Sequence, residues 1–267
     1  MFFADCHTHS RLSPDSNAPM VEMAKAAREY GLDVMCLTDH CDLLSLEGER
    51  TLTYDWQAVL RERKGMLDAF GTQVDLPLGL EFGMAHLYPE AAERILSQPG
   101  LDFVIGSCHN QDEQAGGRDF YLLPYDTLEQ CYAALDNYFA SMLRMAAAPY
   151  YDVVGHIIYP LRYMNGPYDT PDLTRYRDQI REIMRLAIDS GRGIEINTWK
   201  AQTLEPWLPV LRDYKDLGGE IITVGSDAHA PEPLGKGLRE AYAMMADCGF
   251  RYVAVYHQRK PEMIRLK

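Results

Sequence analysis

Short apolar runs alternate along the chain with longer segments in which apolar residues recur at helical spacing. The short runs predict seven main strands, because a parallel strand that is buried on both faces reads as a continuous apolar stretch. These strands fall within residues 3–9, 34–38, 76–80, 103–107, 152–155, 193–197 and 220–225. The predicted helices cover residues 19–30, 56–70, 89–97, 125–147, 173–190, 205–217 and 233–248. One further strand-like run at 252–256 precedes a basic tail.

Successive strand-then-helix units predict a parallel sheet with helices outside it. Closing the seven strands gives an α/β fold, a distorted (β/α)7 TIM-like barrel, as a single domain over residues 1–267. Barrels of this kind use roughly 250 residues, which fits this chain. An open doubly wound sheet is the alternative architecture. We see no repeat beyond the strand–helix unit, and no linker or low-complexity segment.

Six of the eight histidines fall at or just past the end of a predicted strand. They are His7, His9, His40, His109, His156 and His229, and Glu81 and Asp227 occupy the same kind of position. In a barrel these strand ends meet at one mouth, where active sites are built. His7 and His9 also face the same side, because they are two residues apart on a strand. Imidazole and carboxylate suit Zn²⁺, Fe²⁺ or Mn²⁺, and the ligands are too many for one tetrahedral site, so we expect two to three divalent ions.

Cysteine is a competing metal ligand. Cys6 and Cys108 each adjoin a strand histidine, so we expect them to point the opposite way, toward the helix layer. Cys41 follows His40 beyond the predicted strand, and its direction stays open. The six cysteines form no Cys-x-x-Cys pair and no signal peptide is visible, so we expect reduced thiols and a cytoplasmic location.

The net charge and the hydropathy of the chain limit the classes of partner that it is expected to bind. A net charge of −13 and a pI of about 5.0 disfavour a nucleic-acid partner, because no run of Lys and Arg offsets the repulsion of phosphates. No stretch approaches the roughly 18 apolar residues of a membrane span, so no membrane partner is expected. The sequence assigns no oligomeric state.

The candidate ligands lie in short motifs that follow one another in a fixed order. These motifs are Asp5-x-His7-x-His9, Thr38-Asp39-His40, Gly79-Leu80-Glu81, Gly106-Ser107-Cys108-His109, Gly155-His156 and Gly225-Ser226-Asp227-Ala228-His229. The ordered set resembles the PHP family of metal-dependent phosphoesterases over nearly the whole chain. Within that family the chain is most similar to the histidinol-phosphatase branch. The stretches that support the branch are 154–156, 161–163, 193–198, 218–229 and 259–261.

The resemblance implies a trinuclear site. It implies that the first ion is held by His7, His9, Glu81 and Asp227, the second by Glu81, His109 and His156, and the third by His40, His229 and Asp15. Some relatives carry His at the place of Asp15. An acid there favours a harder metal such as Mn²⁺ or Fe²⁺, or weaker occupancy of the third site. Ser13-Pro14-Asp15-Ser16 is also turn chemistry, so Asp15 serves equally well as a loop cap.

The resemblance further implies hydrolysis of a small phosphomonoester, with histidinol phosphate of histidine biosynthesis as the expected substrate. A hydroxide that bridges the metals would attack phosphorus in line, with Glu81, Asp227 and His229 as catalytic residues. Phosphomonoester hydrolysis is among the slowest uncatalysed reactions, so it calls for charge neutralisation by several cations. No serine or cysteine nucleophile is needed.

Several residues are candidates for substrate contacts. Arg162, in the loop after His156, is a candidate catalytic residue and phosphate clamp, because its planar fork suits phosphate; a surface arginine is the alternative. Arg118 and Arg11 are weaker candidates. Asn197 either contacts substrate or only ends its strand. The loop 110–118, with Asp112 and Glu113, either covers the mouth and receives a cationic substrate or is simply solvated.

Three other functions use part of the same pattern. A nuclease or phosphodiesterase of the same family would act on an oligonucleotide and should carry a basic groove, which the net charge argues against. An amidohydrolase-type hydrolase also begins with His-x-His, but that plan leaves His40 and Glu81 unexplained. A non-catalytic regulatory or metal-storage domain predicts lost ligands, whereas the full set is present.

Overall fold

The computed structural model describes residues 2–71, 73–168 and 170–266. Its strands are β1 (Ala4–Thr8), β2 (Val34–Leu37), β3 (His40–Asp42), β4 (Gly79–Gly83), β5 (Phe103–Ser107), β6 (Val153–Val154), β7 (Gly193–Asn197), β8 (Ile222–Gly225), β9 (Tyr252–His257) and β10 (Lys260–Arg265). Its α-helices are α1 (Met20–Glu29), α2 (Trp56–Phe70), α3 (Pro89–Leu96), α4 (Leu128–Ala147), α5 (Arg177–Asp189), α6 (Trp207–Asp216) and α7 (Leu238–Asp247). Short 3₁₀ turns cover Ala85–Leu87, Glu113–Ala115, Phe120–Leu122, Tyr159–Tyr163 and Leu173–Tyr176.

The parallel strands close into the predicted barrel. β3 to β8 form one sheet in chain order, and β1 pairs with β2. Parallel bridges from Val34 and Leu37 to the segment before β4 join the two sheets. Closure lies between β1 and β8, where the Asp227 amide donates to the His7 carbonyl at 2.9 Å and the His9 amide donates to the Ala228 carbonyl at 2.8 Å. The TIM-like barrel is therefore confirmed, and the open sheet is not formed.

The second strand differs from its prediction in one way that shapes the site. The chain breaks its ladder after Leu37 and resumes it as β3, so that β2 and β3 are the two parts of one barrel strand. His40, expected just past the strand, opens β3 and pairs with Glu81. Glu81, expected to follow a strand, is the third residue of β4, which pairs with β3 on one side and with β5 on the other. Both side chains therefore stand on regular backbone.

The basic tail expected after residue 256 is instead strand β10, which pairs with β9 as an antiparallel hairpin. Tyr256 of this hairpin stacks on Phe103 with ring centroids 4.9 Å apart. The Arg259 amide donates to the carbonyl of Asp102, which lies just before β5. The hairpin therefore covers the end of the barrel opposite the histidines. No helix within the described chain has the length and apolar character needed to cross a membrane.

The two cysteines beside strand histidines behave differently. Cys108 points to the helix layer as predicted, with its Sγ 3.9 Å from the Ser141 hydroxyl of α4. The prediction for Cys6 is wrong, because Cys6 packs with Phe103 and Ala254 in an apolar cluster inside the barrel. A register shift in β1 between Asp5 and Thr8 breaks the simple alternation of sides. Both thiols are buried, and all six cysteines are free.

Candidate metal centre

The mouth of the barrel gathers the residues that the sequence predicts as metal ligands. Eight of them form one cluster, and these are His7, His9, His40, Glu81, His109, His156, Asp227 and His229. Most of these side chains are fully buried, and the side chains of His40 and His229 are 16% exposed. The ninth, Asp15, stands at the exposed edge. Side chains from three strands (β1, β3 and β4) and from the segments that follow β1, β5, β6 and β8 therefore converge on one point.

Glu81 lies at the centre of the cluster. Its Oε1 lies 2.6 Å from Nε2 of His156 and 2.9 Å from Nε2 of His109. Its Oε2 lies 3.1 Å from Nε2 of His7 and 3.1 Å from Nδ1 of His40. One carboxylate thus faces imidazoles on both of its oxygens, which is the arrangement that a bridging ligand between two ions needs.

Asp227 faces the same cluster from the closure of the barrel. Its Oδ1 lies 3.3 Å from Nε2 of His9 and 3.7 Å from Nε2 of His7. Its Oδ2 accepts hydrogen bonds from Asn197 at 3.1 Å and from Arg162 at 2.9 Å. The backbone of Asp227 is left-handed, with φ of 60°, a conformation that Asp tolerates better than most residues. Its carboxylate is therefore held through Oδ2, which leaves Oδ1 facing the two histidines.

The third predicted group is the most open. Oδ2 of Asp15 lies 2.9 Å from Nε2 of His229 and 3.6 Å from Nε2 of His40. The Asp15 side chain is 54% exposed, in contrast to the buried carboxylates of Glu81 and Asp227. A cation between these three residues would be reached from solvent.

The cluster contains buried polar atoms that a bound cation would satisfy. Five of its buried atoms have no hydrogen-bond partner among the residues described, namely His7 Nε2, His9 Nε2, His40 Nδ1, Glu81 Oε2 and His156 Nδ1. Buried polar atoms without partners cost free energy unless another group satisfies them. Imidazole nitrogens and carboxylate oxygens that converge in this way are the donors that Zn²⁺, Fe²⁺ and Mn²⁺ take. The residues present therefore fit divalent metal ions.

Electrostatics put two of the ligands, His9 and Glu81, in the protonation state that metals need. Burial, with the neighbouring His40 and His229, lowers the pKa of His9 to about 3, so this imidazole is neutral at neutral pH. Burial raises the pKa of Glu81, but the charges of His7, His109 and His40 outweigh burial and hold the pKa well below its usual range. Glu81 is therefore ionised. A neutral imidazole beside an ionised carboxylate is ready to bind a cation.

Two acidic residues of the site were missed from the sequence. Oδ1 of Asp42 lies 2.8 Å from Nδ1 of His109. Oε1 of Glu195 lies 2.5 Å from Nδ1 of His7, and its Oε2 accepts the His156 amide at 3.0 Å. Both signals are in the sequence: Asp42 stands two residues after His40, and Glu195 is a lone charge within a buried apolar strand.

Among the predicted substrate contacts, Arg162 borders the cluster from the loop after His156. It stacks on Trp199, with its guanidinium carbon 4.1 Å from the ring centroid, and its Nε and Nη2 donate to no acceptor in the described chain. Asn197 lies beneath Asp227 and its amide oxygen accepts the Trp199 amide, so its geometry supports positioning rather than substrate contact. Arg118 pairs with surface Glu47 at 3.2 Å, away from the cluster. Arg11 likewise pairs with Glu62 at 2.9 Å.

The loop 110–118 does not offer its acids to the mouth. Asp112 pairs with Arg144, and Glu113 pairs with Arg50 and accepts the Tyr88 hydroxyl at 2.7 Å. Because these carboxylates are already partnered, their placement argues against the expected role in receiving a cationic substrate.

Comparison with known proteins gives consistent matches. The model of the PHP domain family matches residues 5–199. The probable histidinol-phosphatase of Clostridium acetobutylicum is 28% identical over 256 residues, which is 93% of this chain and 95% of that protein. The probable histidinol-phosphatase of Thermotoga maritima is 27% identical over 254 residues, which is 94% of each chain. The crystal structure of histidinol phosphate phosphatase from Lactococcus lactis, complexed with zinc, L-histidinol and phosphate, superposes with a TM-score of 0.80 at 26% identity, covering 97% of this chain and 98% of that one.

Proposed function

Since the chain belongs to the PHP domain family, we propose that it is a metal-dependent phosphoric monoester hydrolase whose substrate is L-histidinol phosphate. The observation that carries the proposal is the bridging position of Glu81 between two sets of buried imidazoles. Relatives named histidinol-phosphatase that align over nearly their whole length support the substrate. The Lactococcus lactis structure, which contains both halves of the hydrolysed substrate, supports it further.

The ligand sets favour two buried ions and one open one. His7, His9, Glu81 and Asp227 would hold the first, and Glu81, His109 and His156 the second. Asp15, His40 and His229 would hold the third, whose exposed carboxylate favours weaker occupancy. When bound, such ions neutralise the phosphate oxygens and supply a nucleophilic water at neutral pH. Zn²⁺, Mn²⁺ and Fe²⁺ all suit these donors.

The residues of the chain orient the substrate and the ligands. Arg162 is fixed to Asp227 and to the face of Trp199, which leaves its free N–H groups to bind a phosphate oxygen. Asn197 and Arg162 together hold the Asp227 carboxylate, so its free oxygen faces His9. Burial of the cluster excludes bulk water, and this strengthens every charge interaction with the phosphate.

The proposal includes a small-molecule partner and a cytoplasmic location. The six free cysteines support a reducing compartment. The net charge of −13 supports a small phosphate ester over an oligonucleotide. The amidohydrolase-type alternative is not favoured, because the family match and the Glu81 bridge are both unexplained by it.

A substrate screen tests the proposal. The purified protein, supplied in turn with Zn²⁺, Mn²⁺ and Fe²⁺, is assayed with L-histidinol phosphate, an aryl phosphate and a dinucleotide. We expect turnover of both monoesters with L-histidinol phosphate preferred, and no cleavage of the dinucleotide. The variant His9→Ala should lose turnover, whereas His257→Gln should keep it, because His257 lies on the hairpin at the other end of the barrel and pairs with Asp75. Preferred cleavage of the dinucleotide would overturn the proposal.

A further inference from the structure

A cavity of about 570 Å³ opens beside the metal centre. His40 and Asp42 line it on the side of the metals, and Tyr54, Asn110 and Asp119 line it elsewhere. It adjoins the cluster directly, because Nδ1 of His40 lies 3.1 Å from Oε2 of Glu81. Its lining within the described residues includes four carboxylates and no lysine or arginine. The space next to the metals is therefore suited to a cation.

Asp119 is the buried, unpaired acid of this cavity. It is only 6% exposed. Its Oδ1 accepts the Tyr121 amide at 2.7 Å and the Tyr159 hydroxyl at 3.2 Å. Its Oδ2 accepts no hydrogen bond, and no Lys, Arg or His of the described chain pairs with it. A buried carboxylate without a cationic partner is unfavourable, so Asp119 is poised for a positively charged ligand.

The other carboxylates of the lining are already engaged or exposed. Asp42 lies against both His109 and His40. Glu47 pairs with Arg118 at the rim, and Glu49 is exposed to solvent. Among the four, Asp119 alone is both buried and without an ionic partner in the described structure.

Asp119 is also tied to the metal ligands. The amide of Phe120, the next residue, donates to the carbonyl of His109 at 2.8 Å. The ring of Tyr159, whose hydroxyl binds Asp119, lies 5.1 Å from the ring of His109 and 4.9 Å from that of His156. A single side chain, that of Tyr159, therefore connects the Asp119 carboxylate to two ligands of the second predicted ion.

We propose that Asp119 determines specificity by receiving the positively charged amino-alcohol end of the substrate while the phosphate lies at the metals. This inference rests on the proposed function and deepens it. A protonated amine would satisfy the buried carboxylate, whereas an uncharged leaving group would leave it unpaired. The enzyme would thereby prefer cationic phosphomonoesters over neutral ones of similar size.

The variant Asp119→Asn tests the proposal. Asparagine keeps the Oδ1 acceptor for Tyr121 and Tyr159 and removes only the charge. We expect kcat/KM for L-histidinol phosphate to fall about 10- to 100-fold, the range expected for a hydrogen bond to a charged group, while kcat/KM for p-nitrophenyl phosphate stays within about 3-fold. Inhibition by the product L-histidinol should weaken by a similar factor. Asp126→Asn, the same change at an exposed position before α4, should leave kcat/KM unchanged for both substrates.

The results for the two substrates distinguish a role of Asp119 in specificity from the other roles that it could have. An equal loss on both substrates would make Asp119 a structural residue, and an unchanged preference would make it a bystander; either result overturns the inference but keeps the proposed function. A wild-type enzyme that shows no preference for L-histidinol phosphate over p-nitrophenyl phosphate would overturn the substrate assignment, and the inference with it.

Discussion

Oε1 of Glu195 lies 2.5 Å from Nδ1 of His7, and both side chains are completely buried. In the tautomer that carries its proton on Nδ1, this N–H donates to the carboxylate, and the lone pair of Nε2 points toward Glu81 and Asp227. Carboxylates that bind the far nitrogen of a metal-ligating histidine fix its tautomer and its ring orientation. Gly225 makes room for the pair, because a Cβ there would approach the Cβ of His7. We therefore infer that Glu195 positions His7 for the first of the proposed metal ions.

We predict that Glu195→Gln weakens binding of the first ion about 10- to 100-fold, because partners of metal ligands have effects of that size. Titration of the metal-free protein in competition with a chelator measures this affinity. Activity should return when metal is added in excess, since the groups that contact substrate are unchanged. Glu220→Gln is the matched control, as Glu220 is exposed just before β8. Equal affinities of the Glu195 variant and wild type would show that the contact is only structural.

The sequence predicts substrate contacts for both Arg162 and Arg118, but the structure predicts that their Ala variants will differ in their kinetic constants. We predict that Arg162→Ala raises KM for the monoester and weakens inhibition by inorganic phosphate about 10-fold or more, since the buried guanidinium beside Asp227 is lost. Arg118→Ala should change neither constant, because Arg118 pairs with Glu47 at the surface. Steady-state kinetics with phosphate as inhibitor measures both. A larger effect from Arg118 than from Arg162 would refute the placement of the phosphate.

The acid stability of the barrel should depend on Asp213 of α6. Its carboxylate accepts from Arg177 at 2.7 and 2.8 Å and from Arg181 at 2.7 Å, which joins α6 to α5. The hydrogen bond from Arg177 leads the causes that lower the pKa of Asp213. A lowered pKa in the folded state gives stability that is present above the ordinary Asp pKa, about 3.9, and is lost as the pH falls below it.

We therefore predict that Asp213→Asn lowers the free energy of unfolding by about 1 kcal/mol at neutral pH, the scale of a partly exposed ion pair. The difference from wild type should shrink as the pH falls toward 3, where the wild-type carboxylate loses its advantage. Urea unfolding at several pH values measures it, with Asp216→Asn as the control in the same helix. A difference that grows on acidification would contradict the sign of the pKa shift.

Much of this architecture could be predicted from the sequence, because barrel strands and their ends follow from burial. Continuous apolar runs marked the strands, and His109 and His156 were placed at strand ends by that pattern alone. Features that depend on tertiary pairing were harder. The division of the second strand into β2 and β3 follows from pairing with the segment around β4, which lies far along the chain. The basic run after Tyr256 gave no sign that it would pair with β9 as β10 in a hairpin.

In the site as well, features set by neighbouring residues could be predicted, whereas contacts between residues far apart in the chain could not. His7 and His9 were predicted because spacing on one strand sets their common face. Glu195 was missed because its partner, His7, is 188 residues away in the chain, and an isolated acid within a strand does not reveal its contact. The predicted direction of the Cys6 side chain was wrong because the sequence pattern does not reveal a local register shift in β1. Contacts between strands, rather than patterns within them, carried the missing information.

We propose that Glu81 joins two buried sets of ligands into one metal centre that hydrolyses a phosphomonoester. The most direct test is elemental analysis of wild type and Glu81→Ala under metal-replete conditions, with turnover of L-histidinol phosphate measured on the same samples. We predict two to three ions per wild-type chain, turnover that rises with metal content and vanishes on chelation, and fewer ions with no turnover in the variant. A chelated wild type that still hydrolyses the ester, or an active Glu81→Ala protein, would contradict this metal-dependent role of Glu81.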